Sequence, residues 1–307
     1  MKWNAEDRAI RTCRVPWAKS MDWAEFSHSA NTVVCNLRKD NSFAEFLRRQ
    51  FALVIFDANR MEGTLSPELA QSSTMQLILQ YWDSSESAPD QVAWNAEGGR
   101  EHAQASTNRQ LYQFAAATQH LLVEHVKSKL TVKLLQDVHA IMMDGAYEKA
   151  HDGVRMPFSA GALRSKPEDN VYAGLYQFVP PRAVAPALDK LVSEFHSPRV
   201  AGMHPVNRAT WLFYELITIH PFKNGNGRLC RLFLSWSLMQ DGLPFPVSFS
   251  TGHKKKRDHY LRAIEFARRA MVGHRGELNN IALVSIHRVT SNYCDNQRRM
   301  AAVLEES

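Results

Sequence analysis

The sequence predicts a mainly α-helical protein carrying one small β-hairpin. Three observations predict it. Apolar residues recur at helical spacing in successive runs, as in Phe43, Phe46, Leu47, Phe51, Val54 and Ile55. Glycines and prolines gather in one stretch, at Gly153, Gly161, Pro167, Gly174, Pro180 and Pro181, where no helix can continue. The chain shows no internal repeat and no low-complexity segment.

Residues 1–42 are mixed, with Trp3, Trp17 and Trp23 among charges, and read as short helices and loops. Ser42 then caps a helix that Gly63 can stop. Ser66 followed by Pro67 starts a second. The polar stretch from Asp83 to Gly99 reads as a flexible connection. Helices are expected over about 103–126 and 130–147. Val171-Tyr172-Ala173 and Tyr176-Gln177-Phe178-Val179, joined through Gly174-Leu175, form the hairpin and end in Pro180-Pro181. Helices resume over about 183–196, 204–219, 227–241, 257–271 and 278–300. Asp241-Gly242-Leu243-Pro244 stops the third of these.

Composition bounds the function. At 307 residues, 45% hydrophobic and 22% charged, the chain reads as a soluble globular protein with a full core. A net charge of +6 favours acidic ligands such as nucleotides. The positive charge is not gathered with aromatics, which argues against a nucleic-acid binder. Lys254-Lys255-Lys256-Arg257 is a compact basic run that suits a solvated helix start, an import patch or a docking patch. Cys13, Cys35, Cys230 and Cys294 lack disulfide or metal spacing and read as reduced thiols, so a cytoplasmic or nuclear location is expected. No apolar signal core or membrane-length run is visible, so no membrane association is expected.

One stretch organises the rest: His220-Pro221-Phe222-Lys223-Asn224-Gly225-Asn226-Gly227-Arg228-Leu229-Cys230-Arg231. Glycines 225 and 227 allow backbone N–H groups to converge on an anion, and the positive end of the following helix points there too. Arg228 and Arg231, three residues apart, project from one side of that helix. Guanidinium gives paired, rigid donors to phosphate oxygens. His220, beside this polyphosphate cradle, titrates near neutrality and suits a general base. Phe222 reads as a core anchor, and the remaining histidines, among them His139, His196 and His204, as ordinary core or surface residues.

The stretch resembles the Fic family motif His-Pro-Phe-x-(Asp/Glu)-Gly-Asn-Gly-Arg-x-x-Arg, with Asn224 at the usual acidic position. Gly161-Ala162-Leu163-Arg164, Val171-Tyr172-Ala173-Gly174 and Phe178-Val179-Pro180-Pro181 resemble the family's flap, and Arg60-Met61-Glu62-Gly63 resembles its inhibitory motif, with Ala58 where Ser or Thr is usual. The resemblance implies the Fic (Fido) helical fold with a β-hairpin flap. It also implies an N-terminal helical region over 1–100, with an inhibitory helix at about 43–62, and a catalytic core over 101–301, with the flap at about 163–179.

It further implies a protein adenylyltransferase moving AMP from ATP to a Ser, Thr or Tyr hydroxyl of a target protein. His220 would be the base, and Gly225, Asn226 and Gly227 would hold phosphates by backbone N–H groups. Arg228 and Arg231 would neutralise the leaving group. Glu62 would face Arg231 as inhibitor and support de-AMPylation, while Val171, Tyr172, Ala173 and Gly174 would align the acceptor by strand addition. The family uses Mg2+ or Mn2+, for which Asn224 offers a neutral amide oxygen. That leaves three outcomes open: weaker metal-dependent transfer, another metal, or another donor of a phosphate-linked group such as UMP, phosphocholine or phosphate. A nucleotide-sensing module without turnover is the alternative class. Dimerisation is common among such proteins.

Overall fold

The computed structural model describes residues 42–65, 71–83, 100–149, 155–173, 176–248, 261–262 and 264–265. The expected elements in residues 1–41, the basic run at 254–257, Gly174, and nearly all of the two C-terminal helices lie outside the described residues. Helix α1 spans Ser42–Glu62, α2 Gln71–Asp83, α3 Arg100–Gln119 and α4 Val132–Met143. After the hairpin region come α5 (Pro181–Phe195), α6 (Pro198–Ala201), α7 (Pro205–Ile219) and α8 (Asn226–Gln240). The architecture is mostly helical, with small antiparallel hairpins. Among the described residues no helix is long and apolar enough to cross a membrane.

Helix α8 lies at the centre. Leu229, Leu232, Phe233, Leu234, Trp236 and Leu238 are fully buried, on all sides of the helix. A helix apolar all round is one enclosed by others. It packs chiefly along α7, and α1 and the end of α3 cover other sides. Helix α1 turns Phe51, Ala52, Val54, Ile55, Phe56 and Ala58 inward. Each large apolar side chain buried this way contributes about 1.5–3 kcal/mol, enough in sum to fix the register of α1 on the core.

Three features depart from the sequence reading. The helix expected over 130–147 starts after Thr131, whose hydroxyl accepts from Leu134 N, and ends at Met143. Gly145 takes φ 66°, a left-handed conformation that stops the helix at little steric cost. The chain then forms a hairpin that the sequence reading took for helix and loop. Strand β1 (Tyr147–Lys149) pairs with β2 (Arg155–Pro157), Tyr147 opposite Pro157. The expected hairpin is also present, with β3 (Tyr172–Ala173) paired to β4 (Tyr176–Gln177). Helix α3 does not run to 126 as regular helix: residues His120–Glu124 form a π turn.

Candidate active site

Helix α7 ends at Ile219, and His220 caps it in the left-handed region, φ 54° and ψ 59°. Among the described residues it is the one non-glycine with positive φ. That conformation costs an L-residue about 1–2 kcal/mol, so the surroundings must hold it. His220 N donates to Leu216 O at 2.9 Å. The ring stacks on Phe178, centroids 3.9 Å apart. Its Nδ1 faces Ile217 O at 3.4 Å. A carbonyl only accepts, so in the neutral ring Nδ1 carries the proton and Nε2 the lone pair.

The flap base and the histidine are one unit, and Arg164 makes it so. This side chain is buried and donates to four carbonyls: Nε to His220 O (2.7 Å), Nη1 to Asp169 O (3.1 Å), and Nη2 to Val179 O (2.8 Å) and Ile219 O (3.1 Å). Its backbone N donates to Pro221 O at 2.9 Å. Burial lowers its pKa. Asp169 adds a second tie through an ion pair to Lys223 at 2.9 Å. Burial opposes its ionisation, but Lys223 and the N–H groups of Lys166 and Ser165 together hold the carboxyl below the usual range.

The loop after His220 is stapled internally. Asn226 Oδ1 accepts from Phe222 N (3.0 Å) while its Nδ2 donates to Phe222 O (2.7 Å). Its side chain is therefore consumed by the loop, and only its backbone can serve a phosphate. His139 clamps the same loop from α4. Gly161 N donates to its Nδ1 (2.9 Å), so Nε2–H donates to Asn224 O (3.0 Å). The ring lies flat on Phe222, centroids 3.7 Å apart. Burial first, and the Arg228 charge in addition, lower its pKa to about 4, against the bond to Asn224. A neutral, fixed tautomer thus joins α4, the flap base and the glycine loop. Neither Arg164 nor His139 stood out from the sequence as holding the site together.

Gly225 is the N-cap of α8 at φ 77° with no side-chain cap, so the first N–H groups of the helix form an uncapped positive end. A Cβ on Gly225 would meet Met142, Met143 and His139 at 2.9–3.3 Å. Arg228 is buried, with Nη1 3.3 Å from Gln110 Oε1 and 3.5 Å from Asn59 Oδ1. Burial brings its pKa to about 10, with Glu62 opposing. Arg231 donates to Ala58 O at 3.2 Å and pairs with the carboxylate of Glu62. The same carboxylate lies over Gly227, where a Cβ would strike Glu62 Oε1. Arg231 is 4% exposed and Glu62 34%. Separating them therefore costs less than the roughly 3–5 kcal/mol of a fully enclosed pair.

Asn224 does not fit a magnesium ion. Its Oδ1 already accepts from Gly225 N at 2.7 Å, and it brings no negative charge to a metal that prefers carboxylate oxygens. The nearby carboxylates Glu62 and Asp169 are each engaged by a cation. In the flap, Tyr172 is 58% exposed, Ala173 is exposed and Val171 half-buried, along the short β3 edge.

The pattern of the Fic/DOC family matches residues 129–238. A Fido domain-containing protein of Dictyostelium discoideum is 31% identical over 133 residues, 42% of this chain and 90% of that one. A Drosophila erecta protein named protein adenylyltransferase Fic is 30% identical over 136 residues, 44% of this chain, which spans only 25% of that relative's length. The fold matches that of Fic-1 from C. elegans with a TM-score of 0.58 at 20% identity, over 92% of this chain and 74% of that one. The histidine, the glycine loop and the two arginines stand inside the matched span, and the chain belongs to the Fic/DOC family.

Proposed function

We propose that this chain is a protein adenylyltransferase that transfers AMP from ATP to a Ser, Thr or Tyr hydroxyl of another protein. The acceptor oxygen attacks the α-phosphorus and gives its proton to His220 Nε2. The bond from that phosphorus to the bridging oxygen breaks, and pyrophosphate leaves. Backbone N–H groups at Gly225, Asn226 and Gly227, with Arg228 and Arg231, stabilise the charge growing on the leaving group. The β3 edge pairs with the acceptor segment.

The observation that carries this reading is the carboxylate of Glu62, seated over Gly227 and paired with Arg231 at the uncapped start of α8. An anion of the chain itself occupies a cradle suited to a phosphate, so Glu62 holds transfer low. Replacing Glu62 by Gly raises label transfer from α-labelled ATP, and His220→Ala abolishes it. Absence of label from both wild type and Glu62→Gly, with ATP still bound, would sink the reading. Asn224 favours a second one: a regulatory module that binds ATP without turnover. Tight ATP binding by calorimetry, indifferent to magnesium and without mass change on any acceptor, supports that alternative. The mass added to an automodified residue separates AMP from UMP, phosphocholine or phosphate.

A further inference from the structure

At the end of α3, away from the glycine loop, a second cluster has chemistry of its own. His120, Glu124 and His125 each offer one ligand atom, all within 4.8 Å of one another. We propose that these three residues form a binding site for one divalent transition metal of the zinc class, assembled by the π turn.

The backbone is what brings them together. In a regular α-helix a residue and the fifth one after it point roughly 140° apart. Here His125 N donates to His120 O at 3.0 Å, a bond between residues five apart that widens the turn. Residues 124 and 125 consequently flank residue 120. An ordinary surface pair four residues apart explains the 3.1 Å contact of His120 Nδ1 with Glu124 Oε2. It does not explain the second imidazole, whose ring lies 4.3 Å from the first.

The donor set selects the ion. Two imidazole nitrogens and one carboxylate oxygen suit zinc, cobalt or nickel, whereas magnesium and calcium prefer oxygen alone. Bonds of about 2.0–2.2 Å in a tetrahedron place neighbouring ligand atoms roughly 3.3 Å apart, close to the His120–Glu124 contact. Small rotations, chiefly of the exposed Glu124 (61% exposed, against 25% for His120), close the remainder. That exposure leaves a fourth position for water. A ligating imidazole is steadied when its other nitrogen is held, and Ser128 Oγ lies 3.0 Å from His125 Nδ1.

The turn is tied to the central helix. His125 O accepts from Trp236 Nε1 (3.1 Å) and Ser128 O from Gln240 Nε2 (2.6 Å). Both donors lie near the end of α8, and Gln240 is roughly 18 Å along the helix from Arg228. A bound ion braces that end of α8 without touching the glycine loop.

The test uses the full chain, stripped with chelator and titrated with Zn2+, Co2+ and Mg2+. Expected are one bound Zn2+, a tetrahedral Co2+ absorption spectrum, a melting temperature raised by zinc, and no response to magnesium. Glu124→Gln, on an exposed side chain that leaves folding intact, and His125→Ala each weaken binding at least about tenfold and remove the spectrum. Wild-type affinity and spectrum in both variants, or no binding by wild type, overturns the proposal.

Discussion

The guanidinium of Arg164 donates to the carbonyl of His220 at 2.7 Å, so the flap base holds the very peptide that carries the candidate base. Removing it strands four carbonyls, each worth roughly 1–3 kcal/mol when left without a donor in the interior. Arg164→Met is expected to cost about 2–4 kcal/mol, some carbonyls finding water, and to lower transfer as the left-handed cap relaxes. Urea denaturation and label transfer measure the two effects. Arg164→Lys recovers part of the stability but not the fork geometry.

Gly227 and Glu62 should couple. Gly227→Ala puts a methyl against the Glu62 carboxylate and is expected to destabilise by about 1–3 kcal/mol. In a Glu62→Gly background the clash is gone, and the same substitution costs at least about 0.5 kcal/mol less. ATP binding separates sterics from function: the double variant binds ATP more weakly than Glu62→Gly alone, because the methyl remains in the cradle. Additive stabilities would show that the two residues do not meet.

Acid should loosen the loop through His139. The folded chain binds a proton at this ring only near pH 4, whereas an ordinary histidine does so near 6.5. Between those values the unfolded chain takes up a proton that the folded one refuses, so stability falls as pH falls. The loss from this ring approaches about 3 kcal/mol at pH 4 and vanishes above about pH 7. Denaturation midpoints across that range check it, and His139→Asn flattens this part of the profile.

Asn224→Asp restores a carboxylate beside the cradle. In the Glu62→Gly background it is expected to lower the Mg2+ concentration needed for half-maximal transfer by at least about tenfold, equivalent to about 1.4 kcal/mol. An unchanged magnesium response would mean that position 224 has no part in any dependence on magnesium.

The glycine loop was legible because its chemistry is packed into twelve contiguous residues, most of them of a type constrained by phosphate or turn geometry. The pairing of Glu62 with Arg231 spans 169 residues and was reached only through family resemblance. His139 and Arg164 act through partners 85 and 56 residues away. No local pattern marks a buried histidine as a clamp or a flap arginine as a carbonyl binder. The β1–β2 hairpin escaped because Tyr147 falls at the end of the run read as helix over 130–147, whereas the equally short β3–β4 pair was marked by aromatics on both sides of Gly174-Leu175 and by Pro180-Pro181. The end of α8 was read correctly because its apolar run meets Asp241-Gly242, whereas no stop was read at Gly145 and the helix expected over 130–147 ends at Met143.

Glu62 reaches the cradle from α1, a helix outside the family-matched span of residues 129–238. Each residue of helix turns its successor by roughly 100°. Deleting one residue between Phe56 and Glu62 would leave Phe51 to Phe56 in their groove and swing the carboxylate off the arginine. The proposed brake thus has a phase of its own, and a change of chain length by one in α1 would turn it away from the arginine it meets.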